Sequence, residues 1–290
     1  MKELILIIGS KGQLGQCLSS QLDKTYYEVI YTSRKEINIA NLGATKVKII
    51  NINPSIVINA SAYSDVDKAE ENKQAAELIN HLAVANIANT CKEVGCWLIH
   101  ISSDYVFDGN NNQPYREMDI TNPKSIYGKS KLEGEYAIQA SGCKYLILRT
   151  AWLFSEYGNN FMKTMLKLGA SHDNLSVVGD QFGCPTYAQD IAKAIVRILD
   201  YLPDQNIIGV YHFCGDEQCS WFQFSHEIFK QAKEFGFLIP SNLQSISSKE
   251  YPALAARPSY SVLDSNKCFE VFGIEPSDWK LGIVSVLRKL

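Results

Sequence analysis

The sequence predicts an α/β protein built on a doubly wound parallel sheet, with a smaller α/β lobe. Three observations carry this. Short, continuously apolar runs recur at residues 4–8, 56–59, 97–101 and 145–148, as expected of parallel strands buried on both faces. Segments with apolar residues at helical intervals lie between them, notably at residues 67–94 and 127–139. Such alternation of strand and helix builds a parallel sheet with right-handed crossovers. Finally, the first apolar run passes directly into Gly9-Ser-Lys-Gly12-Gln-Leu-Gly15.

Taken in order, residues 4–8 form the first strand, ended by Gly9. The loop has the spacing G-x-x-G-x-x-G, not the G-x-G-x-x-G of the dinucleotide fingerprint, but the same chemistry applies. Gly9 permits a tight turn, Gly12 lets the backbone approach a pyrophosphate, and Gly15 permits close helix packing. The helix that follows, with Cys17, Leu18 and Leu22 on its inner face, offers unpaired N–H groups to the anion. Lys11 is either a phosphate contact or a solvated side chain. Residues 27–31 form the second strand, which ends in Ser33-Arg34-Lys35 with no acid before Glu36. The fingerprint expects an acid here for the ribose 2′-hydroxyl. Its absence favours NADPH, with Ser33 and Arg34 on a 2′-phosphate; the alternative is an exposed basic turn and NADH.

Pro54 precedes the strand at 56–59, and the strand at 97–101 runs on into Ser102-Ser103-Asp104-Tyr105-Val106-Phe107. After Trp152 the pattern is broken by Pro185, Pro203, Pro240, Pro252, Pro258 and Pro276. The expected organisation is a Rossmann-type dinucleotide-binding domain over residues 1–150, with later sheet elements drawn from 172–204. Residues 151–171 and 205–290 then supply mainly a substrate-binding lobe, interleaved with it.

Composition narrows the partners. The 290 residues include 28 Lys plus Arg against 31 Asp plus Glu, a net charge of −3. That balance lacks the footprint of a nucleic-acid or acidic-lipid binder. The early apolar run is far shorter than the roughly 20 residues of a membrane span, and it has no basic flank or cleavage site. No membrane association is expected, and the expected location is cytoplasmic. None of the eight cysteines forms C-x-x-C, which suits reduced, buried thiols. The five histidines show no dense ligand spacing, so no metal site is expected.

The chemistry concentrates at Tyr127-Gly-Lys-Ser-Lys131. On a helix, residues four apart share a face. A tyrosine near pKa 10 exchanges protons poorly at pH 7, and a neighbouring ammonium favours its phenolate. Lys131 is placed to supply that effect, together with a bound nicotinamide. About 25 residues upstream, Ser103 ends a strand, where its hydroxyl can meet a substrate carbonyl beside Tyr127. Y-x-x-x-K alone is usually a surface tyrosine with a lysine neighbour; the combination is more specific.

Glycine loop, strand-end serine and Y-x-x-x-K together resemble the extended short-chain dehydrogenase/reductase family. The resemblance sharpens at residues 59–70, Ser103-Asp-Tyr-Val-Phe-Asp-Gly109, Arg149-Thr-Ala-Trp152, Gly158-Asn-Asn-Phe161, 180–186 and Ala256-Arg-Pro-Ser-Tyr-Ser261. In that order they look like the dTDP-4-dehydrorhamnose reductase family. The resemblance implies NADPH- or NADH-dependent reduction of the 4-keto group of a nucleotide-sugar substrate, dTDP-4-dehydro-L-rhamnose. It makes Ser103, Tyr127 and Lys131 the catalytic set. It assigns Gly12, Gln13, Leu14, Asn38, Ile39, Ala60, Ser61, Ala62, Tyr63, Tyr127 and Lys131 to the cofactor. It assigns Asp104, Tyr105 and Trp152 to the sugar, with Val66 beside them.

Bland alternatives stand beside these roles. Trp152 packs between lobes if it is not a sugar contact, and Asn59 caps a strand end. Arg257, held by Pro258, suits a diphosphate or else pairs with a surface carboxylate. Some family members use Mg2+ at a dimer contact with an acid after the glycine loop. Gln16 and Cys17 stand there in this chain, so neither the metal nor that dimer is carried over, although a homodimer stays open. Tyr105 follows Asp104 where related dehydratases have a second acid, which argues for simple carbonyl reduction. The alternatives are a reductase of another nucleotide-linked deoxysugar, or a non-catalytic subunit resembling that of methionine adenosyltransferase. The intact Ser103, Tyr127 and Lys131 disfavour the second.

Overall fold

The computed structural model describes residues 3–22, 27–202 and 204–290; Pro203 lies outside them. Among the described residues, β1 (Glu3–Ile8), β2 (Tyr27–Thr32), β3 (Ile56–Asn59), β4 (Trp97–Ser103) and β5 (Lys144–Thr150) join a strand at Gly209–His212 in one parallel sheet. The order across the sheet is β2-β1-β3-β4-β5 and then Gly209–His212, so the order reverses between β1 and β3.

Period-two alternation explains the two layers. Ile5, Ile7, Ile58, Ile99 and Leu148 face one core, which is covered by α1 (Gln13–Gln21) and α8 (Ala188–Leu199). Leu6, Ile8, Val57, Leu98 and Ile147 face the other, where α2 (Leu42–Ile52), α5 (Ala83–Val94) and α6 (Ile126–Ser141) pack. Each fully buried aliphatic side chain contributes about 1.5–3 kcal/mol. Continuing the alternation sends Asn59 and His100 to the same face as Val57 and Leu98, toward α6.

Local chemistry sets the helix that carries Tyr127 and Lys131. Ser125 caps α6 by accepting from the Gly128 N–H at 3.1 Å, and Gly142 ends it at φ +69°. A Cβ at Gly128 would overlap the carbonyl oxygen of Tyr105, so the missing side chain lets α6 lie against the loop after β4. Residues 67–94 are not one helix. They divide into α3 (Val66–Glu71), α4 (Lys73–Glu77), a π-helical turn at Leu78–Leu82, and α5.

The sixth strand is a correction. The later sheet element comes from Gly209–His212, not from 172–204. That earlier window instead supplies α8 and the strand Asn174–Val178, which pairs with Asn242–Ile246 in the smaller lobe. Four residues carry too little periodicity to compete with it, and α8 meets the sheet only through long-range packing. The smaller lobe closes over Phe154, Met162, Phe224, Ile228 and Ile283, between α7 (Phe161–Gly169), α9 (Trp221–Glu234) and α11 (Trp279–Leu287). The chain returns to the sheet at α10 (Asn266–Phe272), through Cys268 and Phe272.

Candidate active site

The site opens at the carboxyl ends of β1 and β3, where the strand order reverses, the usual ligand position in such sheets. Gly9 adopts φ +90°, and a Cβ there would stand 2.9 Å from the Ser61 nitrogen. The Gly9 and Ser10 N–H groups donate to the Thr32 carbonyl at 2.9 and 3.0 Å, pinning the turn to β2. A Cβ at Gly15 would collide with the Gly9 carbonyl. Gly12 is the N-cap of α1 and brings no capping side chain, so the first-turn N–H groups point outward unclaimed. This cradle fits a dinucleotide diphosphate.

The flanking residues divide by burial. Leu14 and Ile39 are core side chains, so only their backbones can face a ligand. Gln13 Oε1 accepts from Ser155 Oγ at 2.9 Å and from Asn160 Nδ2 at 3.0 Å, joining the loop to the segment after β5. Asn38 is exposed, with Oδ1 on the Ala40 N–H. Tyr63 exchanges two backbone hydrogen bonds with the Asn80 side chain, at 2.8 and 3.0 Å. Asn80 also donates to Ser130 Oγ on α6. Ala60 and Ser61 line the turn opposite Gly9, and Ala62 is exposed.

At the end of β2 the fold adds what the order of residues hides. Glu36 folds back, and its carboxylate accepts from the Ser33 N–H at 2.7 Å and from the Ser33 hydroxyl. Those bonds hold its pKa below the ordinary value, with a smaller contribution from Lys11. An acid therefore does stand at this strand end, beside exposed Arg34 and Lys35.

Ser103, the last residue of β4, donates to Asp104 Oδ1 at 2.9 Å and accepts from the Tyr105 N–H at 3.2 Å. Asp104 is 2% exposed, and burial pushes its carboxyl up to about 6. Its Oδ2 makes no hydrogen bond of good geometry, although the Ser261 hydroxyl stands close enough to oppose the upward shift. The Tyr105 ring meets Tyr127 edge-on, with centroids 5.5 Å apart. Burial also pushes the Tyr127 phenol up to about 12; the Ser103 hydroxyl pulls it down and Asp104 pushes it further up. This corrects the expectation that Lys131 lowers it. Lys131 Nζ turns instead to the Ile101 carbonyl, at 2.6 Å, and lies 3.3 Å from His100 Nε2. Lys131 is 1% exposed, and burial brings its own pKa down to about 8 against the opposing pull of Glu135. A phenol that keeps its proton is suited to donate it.

Trp152 adopts φ +46°, strained for a bulky residue, at a cost of about 1–3 kcal/mol. Its ring stacks on Trp221, with centroids 3.4 Å apart. The residue is half-buried, consistent with packing as well as with a ligand face. Arg257 pairs with Asp67 Oδ2 at 2.6 Å, while its Nε is buried without a partner. Asp67 Oδ1 also accepts from the Ala255 N–H, tying this segment to α3, where Val66 begins the helix. Arg257, Asp67, Asp104 and Tyr127 all act on the Tyr105 phenol, so these groups are neighbours. Asn80, His100 and Trp221 escape sequence reasoning, because no local motif contains them, and Asp67, though inside the 59–70 segment, carries no signal that it meets Arg257.

The whole chain, residues 1–290, matches the family model described as the RmlD substrate binding domain. It is 40% identical over 287 residues to the dTDP-4-dehydrorhamnose reductase of Aggregatibacter actinomycetemcomitans, covering 97% of each chain. It is 37% identical over 285 residues to the spore coat polysaccharide biosynthesis protein SpsK of Bacillus subtilis, covering 98% of this chain and 97% of that one. Among solved structures, the dTDP-4-dehydrorhamnose reductase of Bacillus anthracis, in complex with NADP, superposes with a TM-score of 0.91 at 36% identity over 100% of both chains.

Proposed function

From the premise that the chain belongs to the RmlD substrate binding domain family, that of the dTDP-4-dehydrorhamnose reductases, we propose that it reduces the 4-keto group of dTDP-4-dehydro-L-rhamnose to give dTDP-L-rhamnose. The observation that carries this reading is the half-buried Tyr127 phenol set beside the Ser103 hydroxyl, with Lys131 one turn along α6.

The reduced nicotinamide supplies a hydride when bound. Gly9, Gly12 and Gly15 hold its diphosphate through the backbone and the N-terminus of α1. Ser33 and Arg34 hold the adenosine ribose or its 2′-phosphate, and Asn38 and residues 60–63 flank the rings. Ser103 orients the sugar carbonyl oxygen, and Tyr127 passes its proton to that oxygen as the carbon is reduced. Lys131 binds the nicotinamide ribose. Asp104 accepts from a sugar hydroxyl, with Tyr105, Val66 and Trp152 shaping the pocket. Arg257, whose Nε lacks a partner, serves the diphosphate of the sugar nucleotide. The cytoplasm is the proposed location. Eight buried free cysteines support it, and among the described residues no helix is long and apolar enough to cross a membrane.

The test is NADPH oxidation with a panel of nucleotide-linked 4-keto-6-deoxysugars. Turnover is expected with dTDP-4-dehydro-L-rhamnose, and its absence there rejects the reading.

A further inference from the structure

His100 lies fully buried in β4, between Asn59 of β3 and Lys131 of α6, and the reduction above does not use it. Both of its ring nitrogens face nitrogen atoms. Nδ1 is 3.2 Å from the Asn59 amide nitrogen, and Nε2 is 3.3 Å from Lys131 Nζ. A neutral imidazole has one N–H and one acceptor, so it cannot accept from two donors at once.

In its present orientation the Asn59 amide is committed at its oxygen, and turning it gives up the bonds made there. Its Oδ1 accepts from the Ser61 backbone N–H at 3.2 Å and from Ser61 Oγ at 2.5 Å. Turning the amide would set its NH2 against a backbone N–H. His100 Nδ1 is therefore the acceptor and Nε2 carries the proton. Lys131 must accept that proton's hydrogen bond, which only the neutral amine can do. An ammonium at Lys131 reverses every polarity along this line.

We propose that His100 and Asn59 are positioning residues that couple the protonation state of Lys131 to Ser61 in the cofactor-binding segment. With the amine, His100 is the Nε2–H tautomer and Asn59 holds Ser61. On protonation, Nδ1 takes a proton from solvent and the Nε2–H bond breaks as a new N–H forms on Nζ. The net gain is one proton, on Lys131, and the ring stays neutral. The Asn59 amide then turns, and the Ser61 N–H and hydroxyl are released toward the cofactor.

The surroundings favour this exchange over a charged ring. Burial, and then the Lys131 charge, hold the His100 pKa well below its ordinary value. Burial brings Lys131 to about 8, inside an accessible range. Besides Lys131, α6 brings Glu135, which is paired with Arg149 of β5; β3 brings only the neutral Asn59. The second buried ring, His212, is a built-in reference. Its Nδ1 lies 3.0 Å from the Tyr115 carbonyl, which can only accept, and its Nε2 faces an Arg149 donor. It is the Nδ1–H tautomer whatever the state of Lys131.

The inference rests on Lys131 acting in the proposed reduction, but its test needs neither substrate nor cofactor. Protein with 15N-labelled histidine is titrated from about pH 6 to 10, and long-range 15N–1H correlations report each tautomer. Two neutral buried rings are expected. Above the Lys131 transition they show opposite tautomers; below it both are Nδ1–H. Lys131→Met should leave His100 as Nε2–H at every pH. The proposal is overturned if His100 keeps one tautomer throughout in the wild type, if its ring takes a second proton, or if Lys131→Met leaves the transition intact. A tautomer switch without sugar-nucleotide turnover would reject the substrate reading and leave this one standing.

Discussion

Two buried polar clusters begin at neighbouring residues of β4 and end differently. Ser102 donates to Glu135, which receives Arg149 through bonds of 2.6, 3.0 and 3.2 Å, and Arg149 also reaches His212. Ser103, one residue later, leads to Asp104, Tyr127 and Lys131, where Asp104 Oδ2 and the nearby strand-end Thr150 Oγ1 have no partner. The first cluster is complete, as a buried ion pair must be if it is not to cost stability. The second holds polar capacity in reserve, which is costly in a protein and useful to a ligand. The difference separates a closed network from the one that carries the proposed site.

The contrast is sharpest where each cluster is cut. Tyr127→Phe should lower kcat by roughly 10²–10⁴, the scale of general acid catalysis, and leave stability within about 0.5 kcal/mol. Wild-type turnover in that variant would take Tyr127 out of the mechanism. Glu135→Gln should do the reverse, costing about 3–5 kcal/mol in urea unfolding because Arg149 stays buried and uncompensated. If that variant unfolds like the wild type, the network is not structural.

Asp104 tests the cost of the unsaturated cluster. Its folded pKa, about 6, lies above the unfolded value of 3.8, so the folded state holds its proton more tightly. The stability this provides is complete below the unfolded pKa and is lost as pH rises through the folded one. Between about pH 4 and 7 the wild type should lose up to about 3 kcal/mol relative to Asp104→Asn, measured by chemical denaturation at each pH. Parallel pH dependences would show that the carboxyl is solvated. The smallest effect is expected at the rim. Arg257→Ala should reduce kcat/KM for the sugar nucleotide by about 10–100-fold while NADPH affinity, followed by fluorescence, barely changes. Unaltered kinetics would mean that Arg257 serves only its ion pair with Asp67.

What the sequence determined by itself is what depends on neighbours in the chain. Apolar runs of strand length place β1, β3, β4 and β5 to within a few residues. Gly9 and Gly15 announce a turn that only glycine fits, and four-residue spacing puts Tyr127 and Lys131 on one face of α6. Periodicity, φ constraints and helix pitch are local properties, so they can be read without a fold. Helix α2 is local too, but its weakly amphipathic Leu42-Gly-Ala-Thr-Lys run hides it. Tertiary structure decided the rest. The short strand at Gly209–His212 exists because β5 offers it an edge. Glu36 becomes the acid of β2 by folding back three residues, and Arg257 finds Asp67 across 190 positions. The direction of the Tyr127 shift followed from burial, not from the lysine that the motif supplies. Charges and donors act through space and through the water that packing excludes, and neither is written in the spacing of residues along a chain.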